Sequence, residues 1–526
     1  MRQALQSVRR RPATPQASRN STWTRDYGAP VRGWVTNNSL ATPIPQSALV
    51  LDNFIPTSTG AQVRGGTALH ATLPDAVTSM FTYDAGGVSK SFAADANGIY
   101  DTTSPGDPAV ALTAAVGSQT SGYWTFTQFG TTGGEYIIGC NGTDTPQKFD
   151  GSTWSTVSVT GPTPSDLSFV WQFKNRLFFI ESGTKSAWYL SVDTIGGSLT
   201  KFSLASIFED GGDLMIGGSW SYDAGDGMGD RCVFISTLGE VAVYQGSSAL
   251  DWSIVGRYKM PAPLGKNAWM KAGGDIIVAT VEGMVPMSGV VSKDPAALSL
   301  AAVSRAVEPD WKTEVSARGT KPWDVTRWDE LNLAMVSMPS PGSTVDNIVF
   351  IVNVETGAWS RFTGWDCQCA TVSNAQLYWG DSDGLIYAAE TGGSDNGSIY
   401  TCTYVAPFEA VGDAVMLKSI TLAKAWFRAR RNFEPKLSVS QDYGITLPVA
   451  PDSVADGATD TWDSGVWDTA VWDSGNAYSL TTEWVSIAGF GDVFAAQVQI
   501  TFGVSFKPDA ELIKMRLVGE NGRMVA

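Results

Sequence analysis

Six glycines, at positions 98, 142, 183, 239, 283 and 384, each stand at the tip of a strand-turn-strand phrase. Their spacing constrains the fold more than any other feature of the chain. The intervals are about 44, 41, 56, 44 and 101 residues, and a recurring step near 44 is the length of one four-stranded propeller blade. Phe92 to Asp101 reads as strand, Asn97-Gly98 turn, strand, a strong short-range hairpin signal. Val233 to Tyr244, Ile277 to Val285 and Leu377 to Tyr387 repeat that phrase. A second phrase ends a strand in a turn and restarts on tryptophan, at Lys148 to Trp154 and at Val352 to Trp359. The spacing predicts an all-β chain with a β-propeller of six or seven blades over residues 76–400. A pair of β-sandwiches built from similar hairpins is the alternative. The long interval from 283 to 384 has room for two blades and an insertion, and Asp294 to Val303 offers one short helix, with an N-cap aspartate and Pro295 at the first helical position.

Composition agrees with many short strands and tight turns: 55 glycines, 25 prolines and 20 tryptophans against only 17% charged residues in 526. Such a length exceeds one compact core, so several domains or one large closed β architecture is expected. The formal net charge is −16, and the acidity lies mostly beyond residue 70, which makes the body a surface that repels nucleic acid. Five scattered cysteines, an odd number, argue against a secreted disulfide framework and for free thiols. Cys367 and Cys369 lack the further ligands a structural zinc site needs, and the single histidine, His70, is distant in sequence. No apolar run reaches the roughly 20 residues of a membrane helix, and the basic N-terminus lacks a signal-peptide core. No cofactor, metal or membrane span is expected.

The segments flanking the propeller have their own character. Residues 1–47 form a basic, proline-rich arm, with Arg2, Arg9, Arg10, Arg11, Arg19, Arg25 and Arg32 offset by Asp26 alone. This arm is expected to remain mobile until it meets an acidic subunit or DNA phosphate, and Trp23, Tyr27 and Trp34 favour docking on a protein. Residues 48–75 read as a first platform segment. There Leu49, Leu51 and Phe54 precede an Ile55-Pro56-Thr57 turn, and Arg64-Gly65-Gly66 opens the next strand. Residues 401–526 read as a C-terminal β platform domain, with strands near 418–431, 433–440, 497–506 and 512–518. It is interrupted by a five-residue repeat at Trp462, Trp467 and Trp472, each followed by aspartate. An odd period turns successive tryptophans to opposite faces of a strand, so linked turns presenting Trp and Asp fit better.

The phrase Asp52-Asn53-Phe54-Ile55-Pro56-Thr57 with Arg64-Gly65-Gly66, the propeller-like middle and the late Trp-Asp repeat together resemble the tail nozzle proteins of short-tailed bacteriophages. These are also called tail tubular protein B or packaged-DNA stabilisation proteins. The resemblance implies a structural virion protein made in the host bacterial cytoplasm. Six copies would form a ring beneath the portal and its adaptor, with N- and C-terminal segments joined in a platform and the propeller outward. Its passage would carry double-stranded DNA without tight binding, and tail fibres would dock outside.

In that setting Trp23, Arg64, Trp462, Trp467 and Trp472 are candidate inter-subunit contacts, since tryptophan and arginine concentrate at buried interface centres. Asp210, Asp213, Asp226 and Asp230, in acidic glycine-rich turns, are candidates for a channel gate. Catalysis is not expected: Ser-His-Asp chemistry would have to run through His70, and no Gly-x-Ser-x-Gly elbow or phosphate-binding loop is present. Asp150-Gly-Ser-Thr-Trp154 faintly resembles the Asp-box hairpin of sialidases, a structural turn. A glycan-binding or glycan-hydrolysing tail protein, or a trimeric receptor-binding fibre, remain the alternative classes.

Overall fold

The computed structural model describes residues 22–223, 228–246, 251–319, 321–339, 342, 346–411, 417–429, 433, 435–453 and 480–521. Six small antiparallel sheets, and one four-stranded antiparallel part of a larger sheet, follow one another along the chain. Blade 1 holds Ser79–Ala85, Val88–Ala94, Gly98–Asp101 and Val116–Gly117; blade 2 Thr125–Thr131, Gly134–Cys140, Gln147–Phe149 and Trp154–Thr156. Blade 3 holds Leu167–Phe173, Arg176–Glu181, Ser186–Tyr189 and Thr200–Ser203; blade 4 Leu214–Asp223, Met228–Ser236, Glu240–Gln245 and Ser253–Lys259. Blade 5 has three strands, Trp269–Ala272, Asp275–Thr280 and Gly283–Pro286, and blade 6 has Asp324–Trp328, Leu333–Ser337, Ile348–Asn353 and Trp359–Thr363. Blade 7 takes Cys369–Ser373, Gln376–Gly380 and Leu385–Ala389, then borrows Thr67–Thr72 as its outer strand. Each blade packs on the next through its inner strands, and blade 7 packs on blade 1, so the ring closes. The chain is a seven-bladed β-propeller.

The six glycines of the periodic phrase all lie between the second and third strands of a blade, and Gly342 supplies the missing one in blade 6. Five of the six adopt left-handed φ between 68° and 137°, which a side chain resists. Asp95 shows how such a turn is held: its carboxylate accepts from the backbone N–H of Asn97 and Gly98 at 2.7 and 2.9 Å. The second strands carry buried apolar runs, such as Leu177-Phe178-Phe179-Ile180 and Ile276-Ile277-Val278-Ala279, because each blade is covered on both faces by its neighbours.

The insertion differs from expectation. Asp294 does cap a turn, accepting from Ala296 N at 2.9 Å, but the turn is 3₁₀ and only a four-residue helix, Leu298–Ala301, follows. The longer helix is Glu308–Arg318, with acids in its first turn and Arg318 in its last. It buries Trp311 against Trp323 and Trp359 beside blade 6.

Three domain boundaries also shift. Residues 1–21 lie outside the described residues, but Thr22–Gly28 is a strand paired along Ala510–Asn521, not a mobile arm. Alternation in Thr-Trp-Thr-Arg-Asp-Tyr-Gly turns Trp23 and Tyr27 into the core. The propeller begins at Thr67 because that strand completes blade 7, so the segment 48–75 is split between platform and propeller. The platform itself is not separate. Val50–Asp52 pairs with Trp359–Thr363 of blade 6 on one side and Tyr400–Val405 on the other, giving one nine-stranded sheet that runs from blade 6 into the platform. A second, seven-stranded sheet joins Phe54–Pro56, Ala61–Val63, Lys418–Ala429, Leu480–Thr481, Val485–Gly491 and Ala510–Asn521 with Thr22–Gly28. One hydrophobic core, including Trp34, Phe54, Trp311, Trp359, Phe427 and Leu512, spans blade 6 and both platform sheets.

Candidate functional site

Arg64 is fully buried at the junction of platform and propeller. Its terminal nitrogens donate to the two Asp395 carboxylate oxygens at 2.8 and 2.7 Å, and its Nε donates to Asn53 Oδ1 at 2.8 Å. The guanidinium lies 4.0 Å from the Tyr400 ring centroid and 5.0 Å from that of Trp365. Asn53, at φ 60°, passes its amide hydrogens to Thr401 O and Thr363 Oγ1. Gly65 and Gly66 follow because the 390–394 backbone crosses too closely for a side chain: a Cβ on Gly66 would stand 2.1 Å from Ser394 O. The Asn53…Arg64-Gly65-Gly66 phrase is therefore an internal clamp. Trp23 is likewise consumed within its own chain, stacked on Phe494 and set against Gly519. Neither residue presents the side-chain surface expected of an inter-subunit contact, and Trp462, Trp467 and Trp472 lie outside the described residues.

The acidic turns do not meet. Asp210 and Asp213 precede the first strand of blade 4, and Asp210 pairs with Lys259 of that blade's outermost strand at 2.5 Å. Asp230 sits at the opposite end of the blade, opposite Ser221, and pairs with Lys174 at 2.9 Å. At about 3.3 Å per residue the strand from Leu214 to Ser221 holds the two turns roughly 20 Å apart, on opposite faces of the disc. Asp226 lies outside the described residues. Within one chain the three described acids, Asp210, Asp213 and Asp230, form no single cluster.

Sequence reading missed the closure of the axis. The connection from blade 4 to blade 5, residues 261–268, crosses the end of the ring where the first strands begin. Lys266 N–H donates to the Tyr123 hydroxyl oxygen at 3.1 Å, while Lys266 Nζ donates to the carbonyls of Asn141 and Ser168 at 3.3 and 3.1 Å. Asn267 donates to Trp124 O at 3.1 Å and bridges Asp324. Blades 2, 3 and 6 are thus tied together across the axis by the chain itself. Burial lowers the Lys266 ammonium to about 8 and raises the nearby Asp324 carboxyl to about 6, since charge is costly away from water. No composition or period marks this segment; its two prolines, at 261 and 263, suggest only a linker.

The residues considered for chemistry are largely buried or hold turns. His70 is buried, with Nε2 2.8 Å from Thr102 O and its ring 4.6 Å from Tyr378, so no nucleophile stands on it. All five cysteines are buried, and burial holds their thiols protonated, Cys140 being pushed up to about 12. Among the described residues no group of three or more His, Cys, Asp or Glu is placed to hold a metal, and no helix is long and apolar enough to cross a membrane. Asp150 accepts from Ser152 N and Thr153 N at 2.9 and 2.7 Å, which makes Asp150 to Trp154 a hairpin fastener.

The outer face of the seven-stranded platform sheet is different. Trp426 stands half-exposed among cations: Lys514 Nζ is 4.4 Å, Lys424 Nζ 5.4 Å and Arg516 Cζ 5.4 Å from its ring centroid. Lys424 also covers exposed Trp484 at 5.6 Å. Strand register builds the cluster, placing Trp426 opposite Lys514, and Lys424 opposite Arg516. Arg516 is neutralised by Asp26 and Arg428 by Glu511, whereas Lys424 and Lys514 have no ion-pair partner among the described residues.

No family model matches the chain, and no curated protein matches it. Among solved structures, the computationally designed protein Ika8 aligns at 9% identity and a TM-score of 0.34, covering 61% of this chain and 99% of that one. YCF48 from Cyanidioschyzon merolae aligns at 11% identity and a TM-score of 0.36, covering 61% and 97%. YCF48 bound to a D1 peptide aligns at 10% and 0.34, covering 61% and 97%. The propeller assignment rests on the closed ring of sheets.

Proposed function

We propose that this chain is a structural virion protein, the tail nozzle of a short-tailed bacteriophage. Six copies form a ring below the portal and adaptor, retain the packaged genome and guide its ejection. The observation that carries this reading is the pairing of Thr22–Gly28 along Ala510–Asn521: an early and a late strand enter one platform beside the propeller, which supports the layout that the resemblance implies. The net charge of −16 supports a wall on which DNA slides, because like charge denies the phosphates counterion-releasing contacts. In this reading DNA runs in the space between copies, a choice supported by the 261–268 connection that ties blades 2, 3 and 6 across one end of the disc. Tail fibres dock on the outer surface, and the protein is made in the host cytoplasm and carried in the virion tail. Imaging purified protein and tails by electron microscopy tests this: a sixfold ring is expected. A monomer that releases reducing ends from host polysaccharide would replace it with the glycan-hydrolase alternative.

A further inference from the structure

On the outer platform face, Lys424 and Lys514, neither in an ion pair among the described residues, flank a half-exposed tryptophan in a chain of net charge −16; a nearby acid, Asp26, is engaged by Arg516 and feels the Lys514 charge as well. The inner face of the same strands is fully used, with Ala423, Ala425, Phe427, Met515 and Leu517 in the core. The outer face is therefore not held basic by packing needs. Phe490 and Trp484, on the neighbouring 484–491 strand region, extend it with exposed aromatic surface at 59% and 44%. Cation and aromatic at this spacing select an anionic partner that also brings a ring of its own.

We propose that this face, centred on Trp426, Lys424 and Lys514, receives the Trp-Asp repeat of a neighbouring copy of this chain. Charge and chemistry choose the occupant. Residues 454–479 carry Asp456, Asp460, Asp463, Asp468 and Asp473 with Trp462, Trp467 and Trp472, and neither lysine nor arginine. Aspartates of the repeat complement Lys424 and Lys514, and its tryptophans complement the Trp426 and Trp484 rings. Duplex DNA fits less well, because two unpaired cations on a flat sheet neutralise few phosphates and the rings would face a polar backbone. This inference rests on the ring of copies proposed above and names the surface through which they join.

The test uses the full chain. In a receptor variant with Trp462→Ser, Trp467→Ser and Trp472→Ser, the face is free, and a synthetic peptide of residues 454–479 should bind it. Adding Lys424→Glu and Lys514→Glu to that receptor should weaken binding at least about tenfold, with an unchanged circular dichroism spectrum. Equal binding to both receptors, or preferential capture of a 30-base-pair DNA duplex in place of the peptide, overturns the proposal. In the otherwise native chain, the two lysine substitutions should dissociate the oligomer, and Asp463→Lys with Asp468→Lys should restore it. A native chain that never oligomerises refutes the ring, while the peptide titration still judges the docking surface by itself. A native hexamer that survives both lysine substitutions leaves the ring standing and removes this face from it.

Discussion

Arg64 and Asp395, 331 positions apart in sequence, meet through two parallel hydrogen bonds of 2.8 and 2.7 Å at the point where platform and propeller join. The guanidinium has no exposed surface, and the carboxylate side chain is 18% exposed. Fork-to-fork geometry of this kind needs arginine, because an ammonium offers a single point of charge. Removing one partner strands the other, which typically costs about 3–5 kcal/mol for a buried pair. Arg64→Met and Arg64→Lys should both lower the melting temperature, and Arg64→Met combined with Asp395→Leu should recover part of the loss. Thermal unfolding of the native chain, Arg64→Met, Asp395→Leu and the double variant, treated as a double-mutant cycle, measures the coupling. Equal melting of Arg64→Met and the native chain would show that the clamp holds nothing.

The closing strand gives a second expectation. Ala71, fully buried, sits between blade 7 and blade 1 with Leu73, Tyr100 and Ile386. Ala71→Asp would bury a carboxylate without a partner, a change worth about 3 kcal/mol or more. The ring should open where the chain's own strand seals it, seen as a lower melting midpoint and new protease cleavage near residues 67–72. Cleavage only at distant loops would contradict a ring sealed there.

Two buried groups define pH windows. Asp324 is raised from 3.8 to about 6 by burial, so its contribution to stability is full below about 3.8 and is lost as pH climbs towards 6. Asp324→Asn should remove that slope and stabilise the protein at pH 7.5 by about 1–3 kcal/mol. Lys266 is lowered from 10.5 to about 8 by burial, so its contribution is present above 10.5 and lost as pH falls to 8. Lys266→Met should flatten stability between pH 8 and 10.5. Melting temperatures across both windows, with and without each substitution, check the sign; a native profile unchanged by either variant would place these groups in water.

Gly66→Ala separates close approach from simple turn preference. The added methyl would meet Ser394 O at 2.1 Å, and overpacking of this sort costs about 1–3 kcal/mol. Gly183→Ala, at φ 68° but with open space around it, should cost less, about 1 kcal/mol, through backbone strain alone. Paired melting curves decide the order.

The parts legible in the sequence were local. Hairpin phrases around Gly98, Gly239, Gly283 and Gly384 announced a blade period because turn and flanking strands lie within about ten residues of each other. Blade 6 escaped that reading because its Gly342 stands in the sequence Pro-Ser-Pro-Gly-Ser, which lacks the apolar strand phrase of the other turns, and the 287–318 helical insertion stretched the interval before it. The partners of Thr67–Thr72 and Thr22–Gly28 could not be read at all: each strand pairs more than 300 residues away, and nothing local in a strand names its neighbour. Arg64 and Trp23 carried interface chemistry that the fold spends internally. Lys266 gave no signal, since its role depends on carbonyls from blades 2 and 3. The Trp426 cluster alternates Lys424, Trp426 and Arg428 along a strand, but the cations that complete it come from the opposite strand, at Lys514 and Arg516.

Copy number and bore location together form the most direct test of the account. Electron microscopy of the assembled protein at side-chain resolution should show six chains around a common passage, with each propeller's own axis filled by Lys266 and Asn267. A protein that stays monomeric at virion concentration, or a DNA path running through the propeller bore, would contradict it.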